Sequence, residues 1–178
     1  KLYLIGVVSD VSNLYDLILK EKEKNMKDTF TECYNKNGFK ELCKKFLDKN
    51  PRPSYTFIMI DLDDFKAIND NFGHETGDKV LLETVKQLRE FFPRPSLIGR
   101  FGGDEFMVLC PFSQKELLEE TINHFMECTI PPYSVKKSVG YTFIPDDKID
   151  YEEIIKTADK ALYTAKQKKN CAVFSSIF

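Results

Sequence analysis

An adjacent pair of glycines, Gly102 and Gly103, separates two apolar runs in the second half of the chain. This pattern is typical of a tight β-hairpin, because a two-residue turn between strands needs positive φ at its centre. Asp104 and Glu105 follow the glycines, at the start of a strand that otherwise has the composition of buried core. Adjacent carboxylates in such a place cost solvation energy unless a cation compensates them. Two interpretations are open, a hairpin that faces a cation or one with a solvated acidic tip.

Length, charge and cysteine content exclude several classes of protein. The chain has 178 residues, which suits one domain with a short appendage. Its net charge of -2 gives no basic field, so we do not expect nucleic-acid binding. The five cysteines form no C-x-x-C pair and indicate free thiols in a reducing, cytoplasmic compartment. No apolar run approaches the roughly 20 residues that cross a bilayer, and no signal peptide is evident.

Hydrophobic periodicity predicts an α+β fold. Residues 55–143 read as strand, helix, two strands joined by the hairpin, helix and strand, which is the βαββαβ order of ferredoxin-like folds. We expect a central antiparallel sheet of about five strands covered by helices, which residues 172–174 could close. In this topology the first and third strands are antiparallel neighbours, so the end of one meets the beginning of the other. Asp61 and Asp104 are therefore expected to lie close together.

Three segments are predicted along the chain. Residues 1–12 contain an apolar run that suits a strand, and the chain begins inside this run without a methionine, as a piece of a longer protein would. Residues 13–27 are predicted to form a connector helix. Its apolar stripe lasts two turns before alternating lysine and glutamate follow, which is too short to predict a coiled coil. Residues 28–178 form the main domain, which begins with a polar, turn-rich stretch.

Three carboxylates, Asp61, Asp63 and Asp64, end the first strand of the main domain. One of the last two could simply cap the following helix, whereas Asp61 would still lie on the strand. An EF-hand loop is excluded, because its sixth position requires glycine and Lys66 stands there. A hard cation shared by Asp61 and Asp104 would explain both buried acids. Few oxygen ligands, with further positions open to water and phosphate, is the Mg²⁺ pattern of phosphoryl-transfer sites.

Four polar residues follow these acids in or near the next two helices. Lys66, at the start of a helix, opposes the helix dipole and could hold phosphate there, or it could be a surface charge. Asn69 and Asp78 could together recognise a guanine edge, because a carboxylate accepts two N–H donors. Asp78 could also be an ordinary acid of a first helical turn. His74, between two glycines, is favoured as a structural rather than a catalytic residue.

Several separate motifs, in the right order, resemble the GGDEF family, the diguanylate cyclases. The motifs are Gly102-Gly103-Asp104-Glu105-Phe106, Asp61-x-Asp63-x-Phe65-Lys66-x-x-Asn69-Asp70-x-x-Gly73-His74-x-x-Gly77-Asp78, Ser138-Val139-Gly140 and Ala158-Asp159-x-Ala161-Leu162-Tyr163-x-Ala165-Lys166. The resemblance covers about residues 28–174, so it makes residues 28–178 a GGDEF catalytic domain. It implies a nucleotidyl-cyclase palm fold. It also implies condensation of two GTP into cyclic di-GMP with release of two pyrophosphates.

The same resemblance implies a site shared between two copies of the chain. Each domain would hold one GTP, and a homodimer would form through facing domains and the N-terminal helix. Asp61, the backbone carbonyl of Leu62, and Asp104 would bind two Mg²⁺ or Mn²⁺ ions. Asp104 or Glu105 would help to remove the proton of the attacking 3′-hydroxyl, with Lys66 as a further catalytic residue. The remaining candidates for substrate binding are Asn69, His74, Asp78, Asp64, Phe65, Lys166, Lys169, Gly102 and Gly103.

The chain departs from the family's pattern at the start of the domain and after Lys166. In the motif D-x-L-T-G-L-x-N-R, which usually opens the domain, Glu32 replaces glycine and Lys36 replaces arginine. After Lys166 the family usually has x-x-Gly-Arg-Asn, but this chain is one residue shorter there and has no glycine. This second departure affects the assignment of Lys169 as a phosphate ligand. The departures keep an alternative function open, a degenerate module that binds GTP or cyclic di-GMP and regulates a partner without catalysis. Another nucleotidyl cyclase or polymerase-palm enzyme is disfavoured by the hairpin and Asp78.

Residues 4–12 resemble the last strand and exit of a PAS sensor domain. This resemblance implies an upstream sensor in the full-length protein, with the connector helix as its signalling helix.

Overall fold

The computed structural model describes residue 14 and residues 16–48, 54–112, 114–145 and 150–177. The predicted strand and PAS-like tail of residues 1–12 lie outside these residues. The helices are α1 (residues 16–25), α2 (Lys36–Leu47), α3 (Phe65–Phe72), α4 (His74–Phe91), α5 (Lys115–Glu127) and α6 (Tyr151–Lys168). The strands are β1 (Tyr34–Asn35), β2 (Tyr55–Leu62), β3 (Leu97–Gly102), β4 (Glu105–Pro111), β5 (Lys137–Ile144) and β6 (Ala172–Phe174).

The predicted α+β fold is confirmed. Six strands form one sheet in the order β1-β3-β4-β2-β5-β6, and its four central strands are antiparallel. The outer pairs, β1 with β3 and β5 with β6, are parallel, so the sheet is mixed and has one strand more than expected. The extra strand, β1, has two residues in the polar stretch, too few to show a period of two. As predicted, β2 and β4 are central neighbours.

The two faces of the sheet bury different helices. Alternate residues of β2 point to opposite faces, so Ile58 and Ile60 pack towards α4 and α5, whereas Phe57 and Met59 pack towards α2 and α6. All eight residues of β2 are buried, as the unbroken apolar composition of this strand predicts. Asp61 continues the second set and therefore ends the strand on the α6 side. This alternation decides which helix can supply a partner to its carboxylate.

The predicted hairpin is confirmed, but its turn lies one residue later than the glycine pair indicates. β3 ends at Gly102 and β4 begins at Glu105, so Gly103 and Asp104 are the two turn residues. Only Gly103 has positive φ, at +51°, in the first turn position, where glycine is favoured. The register of β3 against β4 shifts between Arg100 and Gly102, as in a β-bulge. Asp104 is thus a turn residue rather than the first residue of the strand.

Helices α3 and α4 follow each other with only Gly73 between them. The described part of the connector helix is helical over residues 16–25, and the exposed side chains of Leu14, Leu17 and Ile18 mark its apolar stripe. Among the residues described, no helix is long and apolar enough to cross a membrane.

A fully buried lysine, Lys137, begins β5, and its ammonium group lies at the C-terminal end of α5. Its ammonium group donates to the carbonyl oxygens of Phe125, at 3.2 Å, and of Cys128, and it lies 4.9 Å from the centre of the Phe125 ring. These carbonyls belong to the end of a helix, where a positive charge is favoured. Burial nevertheless penalises the charge and lowers the pKa of Lys137 from 10.5 to about 8.

We expect the stability contribution of Lys137 to depend on pH. Between pH 8 and pH 10.5 the unfolded chain binds more protons at this lysine than the folded chain does, so stability increases with pH. The free energy of unfolding of the wild type, minus that of Lys137→Met, should therefore increase by up to roughly 3 kcal/mol between pH 7 and pH 10.5. Urea denaturation at several pH values measures this difference. Lys160→Met, at an exposed position of α6, is the matched control and should show no such trend; parallel profiles for both variants would contradict the prediction.

Candidate active site

Carboxylates from two neighbouring strands meet at one end of the sheet. Asp61 lies opposite Glu105 in the register of β2 and β4, and Asp104 precedes Glu105 in the hairpin turn. Asp61 is 6% exposed although it carries a charge. Burial raises the pKa of Asp104, and the negative charges of Asp61 and Glu105 raise it further. The expected meeting of Asp61 and Asp104 is therefore confirmed, and their mutual repulsion makes this point a place for a cation.

Lys166, in the last turn of α6, supplies a positive charge at this point. Its Nζ lies 2.6 Å from Oδ2 of Asp61 and 3.4 Å from Oε1 of Glu105. Burial by itself would lower the pKa of Lys166, but the hydrogen bond and charge of Asp61 outweigh it and raise the pKa. Because Asp61 points to the α6 face of the sheet, this helix is the one that can reach it.

Asp63 has a role that the sequence did not predict. The expected helix cap is wrong for both candidates, because Asp64 occupies the N-cap position of α3 without a side-chain hydrogen bond. The buried carboxylate of Asp63 instead accepts a 2.6 Å bond from Oγ of Ser138 and a 2.8 Å bond from the backbone N–H of Asn170. Asp63 thus joins β5 and the segment after α6 to the end of β2. In the sequence, only the motif Ser138-Val139-Gly140 could have indicated that Ser138 takes part in the site.

The shortened segment after α6 has a backbone conformation that residues other than glycine rarely adopt. Lys169 ends the helix at φ 56° and ψ 157°, a region populated almost entirely by glycine, and Asn170 follows at φ 47°. The Nζ of Lys169 pairs with Asp64, at 2.6 and 2.8 Å from the two carboxylate oxygens. This pair is exposed and contributes little to stability. Its effect is to place an ammonium group beside the N-terminus of α3.

Helices α3 and α4 place the candidate base-recognition residues together. Asn69 in α3 packs against Gly77 in α4 so closely that a Cβ at Gly77 would lie 1.9 Å from Oδ1 of Asn69. Asp78 is the next residue and is exposed. The missing side chain of Gly77 therefore lets the amide of Asn69 lie beside the helical turn that carries Asp78.

Three other predicted residues lie around these two helices. Lys66 in the first turn of α3 and His74 at the start of α4 are both exposed. Phe65 begins α3 and packs against the core under α4 and α5. Because Asp64 provides no side-chain cap, the first N–H groups of α3 remain available to an anion.

The donor set at the sheet end suits a hard divalent cation. Asp61 and Asp104 offer carboxylate oxygens, the donor type that Mg²⁺ prefers. Leu62 buries its side chain in the core, so only its backbone could contribute a ligand. In the described ranges no three or more His, Cys, Asp or Glu side chains form a ready metal cluster. Few protein ligands, with water and phosphate completing the shell, is the usual arrangement for Mg²⁺.

Within the described structure, packing does not require glycine at either of the two hairpin positions. A Cβ added at Gly102 or at Gly103 would meet nothing within 4 Å. The turn beside the carboxylates is therefore an open surface on which a flat ligand could lie. The positive φ of Gly103 is a conformational reason for that glycine alone.

Together, this sheet and the acids at its end define a nucleotidyl-cyclase palm domain. A family model described as "Diguanylate cyclase, GGDEF domain" matches residues 25–171. The chain therefore belongs to the GGDEF diguanylate cyclase family.

Two individual relatives are named for different activities. The chain is 32% identical over 150 residues to the probable diguanylate cyclase DgcC of Escherichia coli, a match that covers 79% of this chain and 40% of DgcC. It is 29% identical over 147 residues to the cyclic di-GMP phosphodiesterase PdeR of the same organism, covering 79% of this chain and 22% of PdeR. The chain thus spans less than half the length of these relatives.

A solved structure agrees with the fold. The coiled coil and GGDEF domain of DgcB from Caulobacter crescentus, solved in complex with c-di-GMP, superposes with a TM-score of 0.83. The superposition covers 97% of both chains at 19% identity. At this identity the likeness supports the fold alone.

We expect Lys166→Ala to destabilise the domain when divalent cations are removed. The variant leaves the buried carboxylate of Asp61 without its ammonium partner, so the free energy of unfolding in EDTA should decrease by about 1–3 kcal/mol. Addition of Mg²⁺ should then raise the unfolding midpoint of this variant more than that of the wild type, in which the cation competes with Lys166. Lys168→Ala, at an exposed position in the same helical turn, is the control. Equal stability of the two variants in EDTA would contradict the prediction.

Proposed function

We propose that this chain is the catalytic part of a diguanylate cyclase, which condenses two GTP into cyclic di-GMP and releases two pyrophosphates. The observation that carries the proposal is the convergence of Asp61, Asp104, Glu105 and Lys166 at one end of the sheet. Family membership supports the same reaction class. Each domain provides one half-site, so the active species is a homodimer with two facing domains, assisted by the exposed apolar stripe of α1.

Two groups of residues would bind the GTP. Asn69 and Asp78 would recognise guanine, because the carboxylate can accept from both the ring N–H and the exocyclic amine. The uncapped N–H groups at Asp64 and Phe65 would hold the phosphates. Lys66, Lys166 and Lys169 would add positive charge there. The open surface of Gly102 and Gly103 would let the nucleotide lie against the hairpin, with His74 at the rim.

The chemical step follows from where these groups lie. The 3′-hydroxyl oxygen of one GTP forms a bond to the α-phosphorus of the other, the bond to the pyrophosphate oxygen breaks, and the hydroxyl proton passes to a carboxylate, Asp104 or Glu105. Asp61, the carbonyl of Leu62 and Asp104 would hold two Mg²⁺ or Mn²⁺ ions, whose charge stabilises the developing negative charge. The remaining acceleration comes from holding the reactants in line.

A second candidate is a module that binds GTP or cyclic di-GMP and regulates a partner without catalysis. The segment after α6 favours it, because the ammonium group of Lys169, a candidate phosphate ligand, is already paired with Asp64. The match to PdeR also shows that relatives of this chain carry other activities in their names. In either case we propose a cytoplasmic protein whose upstream sensor controls the domain through α1.

We expect Asp104→Ala to abolish synthesis of cyclic di-GMP. The chain is dimerised through an N-terminal coiled-coil fusion and incubated with GTP and Mg²⁺, and the products are separated by chromatography and identified by mass. The variant should lose at least about a hundredfold in rate, because it removes charge stabilisation and positioning together. Glu90→Ala, at an exposed position near the end of α4, should retain full activity. Wild-type chain that binds GTP but forms no product would favour the regulatory module instead.

We expect Asp78→Asn to weaken the preference for guanine. An amide oxygen replaces the carboxylate and one acceptor is lost, so the KM for GTP should increase by about tenfold or more. Inosine triphosphate lacks the exocyclic amine, so the variant should discriminate less between GTP and inosine triphosphate than the wild type does. Glu75→Gln, one turn earlier on the same helix, is the control. Unchanged discrimination in Asp78→Asn would remove this residue from the guanine site.

A further inference from the structure

A single side chain, Arg100, connects the hairpin turn to the segment that follows α1. Its Nε donates to the carbonyl oxygen of Gly103 at 2.9 Å, and its Nη1 donates to Oδ1 of Asp28 at 3.2 Å. The guanidinium also lies 5.8 Å from the centre of the Phe30 ring. The side chain is only 16% exposed, although it lies near the tip of a hairpin. The planar guanidinium can make these two bonds at once because its donors form a rigid fork.

The Asp28 end of this connection is well fixed. Oδ1 of Asp28 also accepts from the backbone N–H and the hydroxyl of Thr31, at 2.8 and 2.7 Å. The backbone N–H of Asp28 donates to the carbonyl of Cys33, and its carbonyl accepts from Glu32. Burial by itself would raise the pKa of Asp28, but the bonds from Thr31 and Arg100 hold it below its usual range. The carboxylate is thus a charged anchor at neutral pH.

This anchor is joined directly to the end of α1. The side-chain amide of Asn35 donates to the carbonyls of Asn25 and Lys27, at 2.7 and 3.1 Å. The backbone N–H of Asn35 donates to the carbonyl of Met26 at 2.9 Å. The end of α1 and the two residues that follow it are therefore held to Asn35, the N-cap of α2, and Asp28 comes directly after them.

The hairpin end has few other constraints. The strand register is interrupted between Arg100 and Gly102, and the two glycines bring no side chains to pack. The carbonyl of Gly103 belongs to the peptide plane that leads into Asp104. A hydrogen bond to that carbonyl therefore restricts the direction in which the carboxylate of Asp104 can point.

We propose that Arg100 is a positioning residue, which ties the peptide before Asp104 to the Asp28 turn at the exit of α1. It touches neither substrate nor metal, and it acts through Gly103 and Asp104. The inference rests on the proposed function, because the carboxylate it positions is the one assigned to that reaction. Through Asp28, Arg100 also connects the end of α1 to the catalytic hairpin.

Arg100→Lys tests the proposal, because an ammonium keeps the charge but cannot make the same two directed bonds. In the dimerised chain we expect kcat to decrease by about tenfold to a hundredfold while the KM for GTP stays within about twofold, the result of a misplaced catalytic group with intact binding. Arg94→Lys, at an exposed arginine in the loop before β3, should leave both constants unchanged. An unchanged kcat in Arg100→Lys would overturn the proposal.

Asp28→Asn tests the other end of the connection. The amide oxygen can still accept the bonds from Thr31, but the charge that holds Arg100 is lost. We expect a smaller decrease in kcat, and the double variant should be no slower than Arg100→Lys alone, because both substitutions break one connection. Losses that multiply in the double variant would show that the two residues act independently, and this would overturn the coupling.

Hydrogen exchange makes the test independent of catalysis. Backbone amides of residues 102–105 should exchange at least about fivefold faster in Arg100→Lys than in the wild type, while those of β2 keep their protection. This result would support the positioning role even if the wild type formed no cyclic di-GMP, so a failure of the proposed reaction can be told apart. Unchanged exchange in the hairpin, or a uniform increase across the domain, would overturn the proposal.

Discussion

The antiparallel register of β2 against β4 is the constraint on which the site depends. It places Asp61 opposite Glu105 and beside the turn that carries Asp104. Three carboxylates at one point repel one another, and two of them have lost part of their hydration by burial. Such a cluster persists only where positive charge is supplied. Lys166 of α6 supplies some of it, and in the proposed reaction divalent cations would supply the rest.

The face of the sheet on which Asp61 lies decides which helix can supply the positive charge. Because side chains alternate along β2, Asp61 shares its face with Phe57 and Met59, and that face is covered by α2 and α6. The last turn of α6 ends above the same end of the sheet and carries Lys166. The packing of α6 on this face therefore buries the core and also places the ammonium group of Lys166 beside Asp61. A shift of one residue in the strand register would turn Asp61 away from Lys166.

Much of this arrangement could be predicted from the sequence, since strand order alone brings Asp61 and Asp104 together. What could not be predicted depends on contacts between distant segments. Asp63 after a strand has the local pattern of a helix cap, and nothing local reveals that its partners are Ser138 and the N–H of Asn170. The predicted position of the turn was wrong because the β-bulge after Arg100 shifts the register of β3 against β4 by one residue.

The two departures from the family's pattern concern the backbone more than the site. Glu32 and Lys169 both adopt positive φ, at 58° and 56°, in segments where the family usually has glycine. Each costs of order 1 kcal/mol in strain. The N–H of Glu32 donates to Asp28, and that of Lys169 donates to Ala165, so hydrogen bonds retain both turns in spite of their side chains. Because both segments are held in this way, loss of glycine alone is not an argument against catalysis. Asp28 and Asp63, which hold these segments, then matter more to the site than the replaced glycines do.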